Sequence, residues 1–179
     1  LFGGVWVIAA VFYMTGLTFL LDTLVRTVTP DREFPAADGL SVVIASLHFP
    51  LLAMVVAGVA GETLSVAAKI ALFLAAGLYF GQVGNANAHE LIHRSRRALH
   101  GLGKWVYISL LFGHHTSAHV LVHHTHVATE NDPNTSRLGE TYYTYAPRAW
   151  IGSFKAGYTA EKARLARANR SKWHNPYVV

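Results

Sequence analysis

The sequence predicts an all-α protein, an integral membrane helical bundle, and three observations carry that expectation. Three apolar runs, at about residues 2–24, 40–60 and 63–83, are each long enough to cross a bilayer, which takes about 20 residues. Charged residues make up only 14% of the 179-residue chain, against roughly 25% in soluble domains, and mean hydropathy is +0.29. Basic residues collect outside the runs, as they do in loops that flank membrane spans.

The first run carries Asp22 near its inner end. A carboxylate one turn from a helix end reaches water, the alternative being a functional intramembrane acid. Arg26–Gly39, with two prolines and Asp31, Arg32, Glu33 and Asp38, reads as a loop. The second run holds His48 two residues before Pro50, which reads as structural rather than ligating. Only Gly61-Glu62 separates it from the third run, so these two spans are expected to form a tight helical hairpin. Lys69 is expected to snorkel outward. Gly77, Gly81 and Gly84 read as a close-packing face, the alternative being room for a substrate between spans.

Orientation follows from the cations. Arg94, Arg96, Arg97 and Lys104 follow the third run, and Lys155, Lys162, Arg164, Arg167, Arg170 and Lys172 crowd residues 155–174. The positive-inside rule puts both regions in the cytoplasm and Gly61-Glu62 outside. The net charge of +5 is therefore read as loop charge and not as a nucleic-acid surface. Trp105–Gly113 is about half a span, so it is expected to lie against the bundle and keep its two flanks on one side. Tyr142, Tyr143, Tyr145 and Trp150 are expected to form an interfacial belt. The opening run lacks the basic leader of a signal peptide, and a start at Leu1 suggests a chain cut from something longer.

Those two flanks carry the chemistry. His89-Glu90-Leu91-Ile92-His93 and His119-Val120-Leu121-Val122-His123-His124 each place histidines four apart, hence on one face of a helix. Imidazole is the commonest protein metal ligand. His124 would be turned about 100° from His123, toward a second metal or the far side of the first. The chain has no cysteine, which excludes thiolate sites and iron–sulfur clusters. Asn85 and Asn87 are placed to donate hydrogen bonds around the first group. His-Glu-x-x-His is also the motif of zinc proteases, with Glu90 as base. Such enzymes need three protein ligands and an open position, whereas a second group of three histidines follows here.

Ala88-His89-Glu90-Leu91-Ile92-His93-Arg94, then His119-x-x-x-His123-His124, then Val127-Ala128-Thr129-x-x-Asp132-Pro133-x-Thr135-Ser136-Arg137-x-Gly139-Glu140 resemble the membrane-bound alkane 1-monooxygenases. These belong to the histidine-box superfamily, with membrane fatty-acid desaturases and xylene monooxygenase. The likeness covers nearly the whole chain, including Leu20-Leu21-Asp22 and Glu161–Asn175 with Trp173. It implies that residues 1–179 are a single, partial hydroxylase domain of a bacterial inner-membrane protein, with its metal site on the cytoplasmic side. It implies a non-haem di-iron enzyme that hydroxylates the terminal methyl of medium-chain n-alkanes, using O₂ and electrons from rubredoxin and rubredoxin reductase. The ligands implied are His89, His93, His119, His123 and His124. Xylene monooxygenase or fatty-acid desaturase/hydroxylase chemistry is the alternative within the superfamily.

Departures from the pattern fall at Ala118 and Val122, where relatives usually carry Glu and Gly. His126 is not carried over, and His100, His114 and His115 are not box histidines. Asp132 and Glu140 are expected to hold the loop after the second box. The basic stretch Glu161–Trp173 suits anionic lipid, the alternative being an acidic electron carrier. A third histidine box belongs downstream in this family. Without it the chain is expected to bind iron weakly and to show no turnover alone.

Overall fold

The computed structural model describes residues 4–28 and 38–178. Every regular element among them is helical, as the hydropathy pattern predicts. Three helices are long and apolar enough to cross a membrane, at Val5–Leu24, Asp38–Ala60 and Val66–Ile92. Phe2, Gly3 and most of the expected loop, residues 29–37, lie outside the described residues. Its two ends are helical instead: α2 runs to Val28 and α3 begins at Asp38.

The chain divides into two compact units, Leu1–Val106 and Tyr107–Val179. In the first, α1 (Val5–Phe12), a π-turn (Tyr13–Leu17) and α2 (Thr18–Val28) form the first apolar helix. Inside lipid every backbone carbonyl needs a partner. Hydroxyls supply some around this π-turn: Thr15 Oγ1 donates to Val11 O at 2.7 Å, and Thr18 Oγ1 to Tyr13 O at 2.9 Å. Asp22 is exposed on α2, as a carboxylate near a helix end should be.

The helix α3 (Asp38–Ala60) contains Pro50. After a short turn, Ser65 caps α4 (Val66–Tyr79), its hydroxyl accepting from Ala68 N at 3.3 Å. The expected hairpin is present: α4 packs along α3, and α1 packs on α4. His48 is buried between Phe49 and Phe80, 5.3 and 4.8 Å away between ring centres, so it is a core residue. Gly84 comes within van der Waals reach of His48, but Gly77 and Gly81 face open space and do not form a close-packing face.

The third span differs from expectation. It continues past 83 through a π-turn (Phe80–Gly84) into α5 (Asn85–Ile92). Asn85, Asn87, His89 and Glu90 end the hydropathy signal but contain no helix breaker, so the backbone goes on. The first histidine group is therefore the last turn of a membrane-length helix, with His93 as its C-cap. After it, α6 (Arg97–Ser109) carries the chain across the boundary between units.

The second unit contains α7 (His115–Ala118), a π-turn (His119–His123), the single turn α8 (His124–His126), a loop, and α9 (Tyr142–Arg167). α9 packs on α7 and on the π-turn. It starts at Thr141, whose hydroxyl accepts from Thr144 N, and a 3₁₀ turn (Lys172–His174) follows it.

Candidate metal centre

Within the first unit, α5 brings His89 and His93 together, with ring centres 4.7 Å apart. The opposite face of α5 holds it in place. Ala88, Leu91 and Ile92 are buried, and α6 crosses them at Gly103. A Cβ on Gly103 would lie 2.7 Å from Leu91 Cβ and 2.8 Å from Ala88 O, so only glycine permits this crossing. Asn87 is spent on the scaffold: its amide donates to Ser41 O on α3 at 3.0 Å. Arg94 pairs with Asp38 at 3.2 Å, tying the end of α5 to the start of α3, and it lies 3.6 Å from Glu90.

In the second unit, the three box histidines share one side of the π-turn. His119 and His123 stack with centres 5.2 Å apart, and Nε2 of His124 lies 2.9 Å from Nε2 of His119. Five residues advance an α-helix by about 500°, which would leave His124 about 140° from His119. The wider i→i+5 turn removes most of that offset. The expected divergence of His124 from its neighbours is thus corrected by the backbone. Two imidazole nitrogens at about 2.1 Å from one ion, at a right angle, are about 3 Å apart. The 2.9 Å separation fits two adjacent ligands of a single ion. An all-nitrogen donor set without thiolate suits a first-row transition metal, zinc, copper, nickel and iron alike.

His123 shows a further feature of a ligand. Its Nδ1 lies 2.8 Å from Oδ2 of Asp132. A carboxylate only accepts, so Nδ1 carries the proton and Nε2 keeps its lone pair for a metal. Asp132 is 2% exposed and accepts two more bonds, from Thr135 Oγ1 at 2.7 Å and from Asn134 N at 3.0 Å. Burial raises its pKa, but the Thr135, Asn134 and His123 donors outweigh this and hold it below the ordinary carboxylate value. The loop role expected of Asp132 is present. Its grip on His123, nine residues earlier, was not legible from motif spacing.

Arg148 of α9 clamps the same loop. It makes two parallel bonds to Glu140, at 2.7 and 2.6 Å, and donates to Pro133 O and Thr135 O, each at 3.0 Å. These bonds and the Arg137 N–H lower the Glu140 pKa to about 2. Tyr145 donates to Asn134 O, and Ser153 bonds Asn134 Oδ1. Gly152 lets Pro133 lie directly on the helix. Of the aromatics expected in a belt, Tyr142, Tyr143 and Trp150 are exposed, Trp150 also packing edge-on to Phe112 at 5.4 Å, whereas Tyr145 is bound to this loop.

The departure at Ala118 has a steric setting. Ala118 is buried, and a Cβ on Gly157 of α9 would lie 2.9 Å from its own Cβ. One residue earlier, Ser117 donates to the buried Glu161 at 2.7 Å, so α9 brings a carboxylate beside the box. His115 extends the imidazole column by a turn, stacked on Phe112 at 4.7 Å and on His119 at 4.8 Å. Its spacing, four before His119, was the available signal. His114 is buried among Phe112, Trp150 and Phe154, and burial lowers its pKa.

Comparison with known proteins agrees with this chemistry. The fatty acid desaturase family model matches residues 63–178. Alkane 1-monooxygenase 1 of Alcanivorax borkumensis is 31% identical, over 94% of this chain and 44% of its own length. The alkane 1-monooxygenase of Pseudomonas putida is 32% identical over 71% of this chain and 31% of its own, and that of Acinetobacter baylyi 35% over 59% and 26%. The chain spans less than half the length of these curated relatives.

Proposed function

Because the chain belongs to the fatty acid desaturase family, we propose that it is part of a membrane monooxygenase that hydroxylates the terminal methyl of medium-chain n-alkanes. Its metal is iron, two ions in the complete enzyme, held in part by His89, His93, His119, His123 and His124. Residues 1–179 belong to one hydroxylase domain, in the bacterial inner membrane, with its metal site on the cytoplasmic side. Electrons come from rubredoxin and its reductase. The observation that carries this reading is the second histidine group: two Nε2 atoms 2.9 Å apart and a third imidazole fixed by a buried carboxylate. The relatives named alkane 1-monooxygenases support the substrate class. They weigh against the zinc-protease reading of His89–His93.

Bound iron supplies O₂ activation. The chain's own part is to set the imidazoles. The π-turn faces three of them to one side, and Asp132 fixes His123 in the tautomer that leaves Nε2 free for a metal. Apolar side chains exposed on the spans, among them Phe12, Phe19 and Phe73, suit a lipid surround from which a hydrocarbon partitions.

The test uses the complete gene product in membranes, supplied with iron, rubredoxin, reductase, NADH and octane. Formation of 1-octanol, two irons per chain, and loss of both in each of the five His→Ala variants are expected. One zinc per chain, or full activity after any one replacement, refutes the corresponding assignment.

A further inference from the structure

The end of α9 and the chain after it enclose a cavity of about 480 Å³, apart from the histidine groups. Its construction begins with a chain reversal. α9 stops at Arg167, Asn169 takes a left-handed conformation (φ 50°), and Arg170 N bonds back to Leu165 O at 2.9 Å. This folds the following segment against the last turns of the helix. Arg170 and Lys172 are thereby brought to the same cavity as Lys162. The segment is fixed by the buried Asn175, which accepts from Tyr177 N at 3.0 Å, and by Tyr177, whose hydroxyl donates to His114 O at 3.0 Å.

Among the described residues no carboxylate lines the cavity and none of the three cations is in an ion pair. Three like charges facing one concavity repel one another, and an anion placed among them relieves this. The rest of the lining is largely apolar, with Leu165, Val178 and the indole of Trp173, which is two-thirds exposed and lies 5.4 Å from the Lys172 ammonium. We propose that this cavity binds the phosphate of an anionic lipid headgroup, the cations gripping the phosphate and the apolar wall taking the start of the acyl chains. Its volume is that of a small-molecule site, which the flat surface of an acidic protein does not fill. A chain with three membrane-length helices is surrounded by such lipids.

The test is thermal-shift and calorimetric titration of the protein, purified in an uncharged detergent. The probes are short-chain phosphatidylglycerol, short-chain phosphatidylcholine, inorganic phosphate and polyglutamate. Phosphatidylglycerol is expected to bind at least tenfold more tightly than phosphatidylcholine or inorganic phosphate. Lys162→Gln, Arg170→Gln and Lys172→Gln should each weaken it about fivefold. Lys155→Gln, on the same helix but outside the cavity, should leave it within twofold. Trp173→Ala should weaken the lipid and not the phosphate. Equal binding of the two lipids, equal weakening by Lys155→Gln, or unchanged affinity in all three cavity variants overturns the proposal. Inorganic phosphate binding as tightly as the lipid assigns a free phosphate instead. Polyglutamate binding more tightly than lipid assigns an acidic protein. Unfolding midpoints without ligand separate loss of binding from loss of fold.

Discussion

Asp132→Asn isolates the contribution of a buried carboxylate to a histidine it does not adjoin in sequence. In the native protein, three donors converge on Asp132: His123 Nδ1, the Thr135 hydroxyl and the Asn134 N–H. An asparagine of the same shape keeps one acceptor oxygen and presents an NH₂ on the other side. If that NH₂ faces His123, the imidazole must move its proton to Nε2 and give up the lone pair meant for a metal. If it faces Asn134 N, the charge assistance is still lost. A hydrogen bond to a charged group contributes about 1.5–3 kcal/mol, which is roughly a 10- to 150-fold change in an equilibrium constant. Replacing partners of metal-binding histidines typically costs about 10- to 100-fold, the same range. Iron affinity, measured by chelator competition in membranes carrying the complete protein, should fall by that factor, and hydroxylation with it. Thr135→Val removes one neutral donor from the same carboxylate and leaves His123 in place, so its effect should be nearer fivefold. Iron affinity within twofold of native in Asp132→Asn, with the protein folded, refutes the assignment of Asp132 as the group that orients His123.

Other expectations follow from the scaffold. Gly103→Ala should lower the thermal midpoint by an amount corresponding to about 1–3 kcal/mol, because its Cβ meets Leu91 and the Ala88 carbonyl, whereas Gly101→Ala, which meets nothing within 4 Å, should not. Equal midpoints would dissociate the α5–α6 crossing from stability. Glu140 is depressed to about 2, so its bond to Arg148 contributes fully above the ordinary carboxylate value of 4.5 and is lost as pH falls toward 2. Hydrogen exchange at Thr135 and Arg137 should rise over that window in the native protein, after correction for intrinsic exchange, and stay flat in Glu140→Gln. A cysteine at position 96 should react with an impermeant reagent only from the cytoplasmic side. Labelling from outside reverses the topology.

The parts of the fold that were legible depend on side-chain partitioning. Length and apolarity of the runs located all three spans, and a two-residue gap located the hairpin. The third span was read nine residues short because hydropathy falls at Asn85, while helix formation continues until Ile92. The candidate ligands were legible because metal chemistry restricts residue types and helical periodicity restricts their spacing. The π-turn in the second group left no mark in the sequence: Val120, Leu121 and Val122 suit an α-helix equally well. The bonds from Asp132 to His123 and from Arg148 to Glu140 were hidden for another reason. Each depends on a loop folding back over 8 or 9 residues, which no periodicity records.

A π-turn is an α-helix with one residue too many, and here the wider turn absorbs the surplus and keeps His124 beside His119. An α-helix faces two of the positions i, i+4 and i+5 to one side, while this backbone faces all three. Deleting one valine would put the histidines at i, i+3 and i+4, which share one face of a regular α-helix, so the same grouping would then need no π-turn. The expense falls on backbone packing, and it is met where the turn leans on other parts of the chain, at buried Val122 and where α9 closes on Ala118 through Gly157.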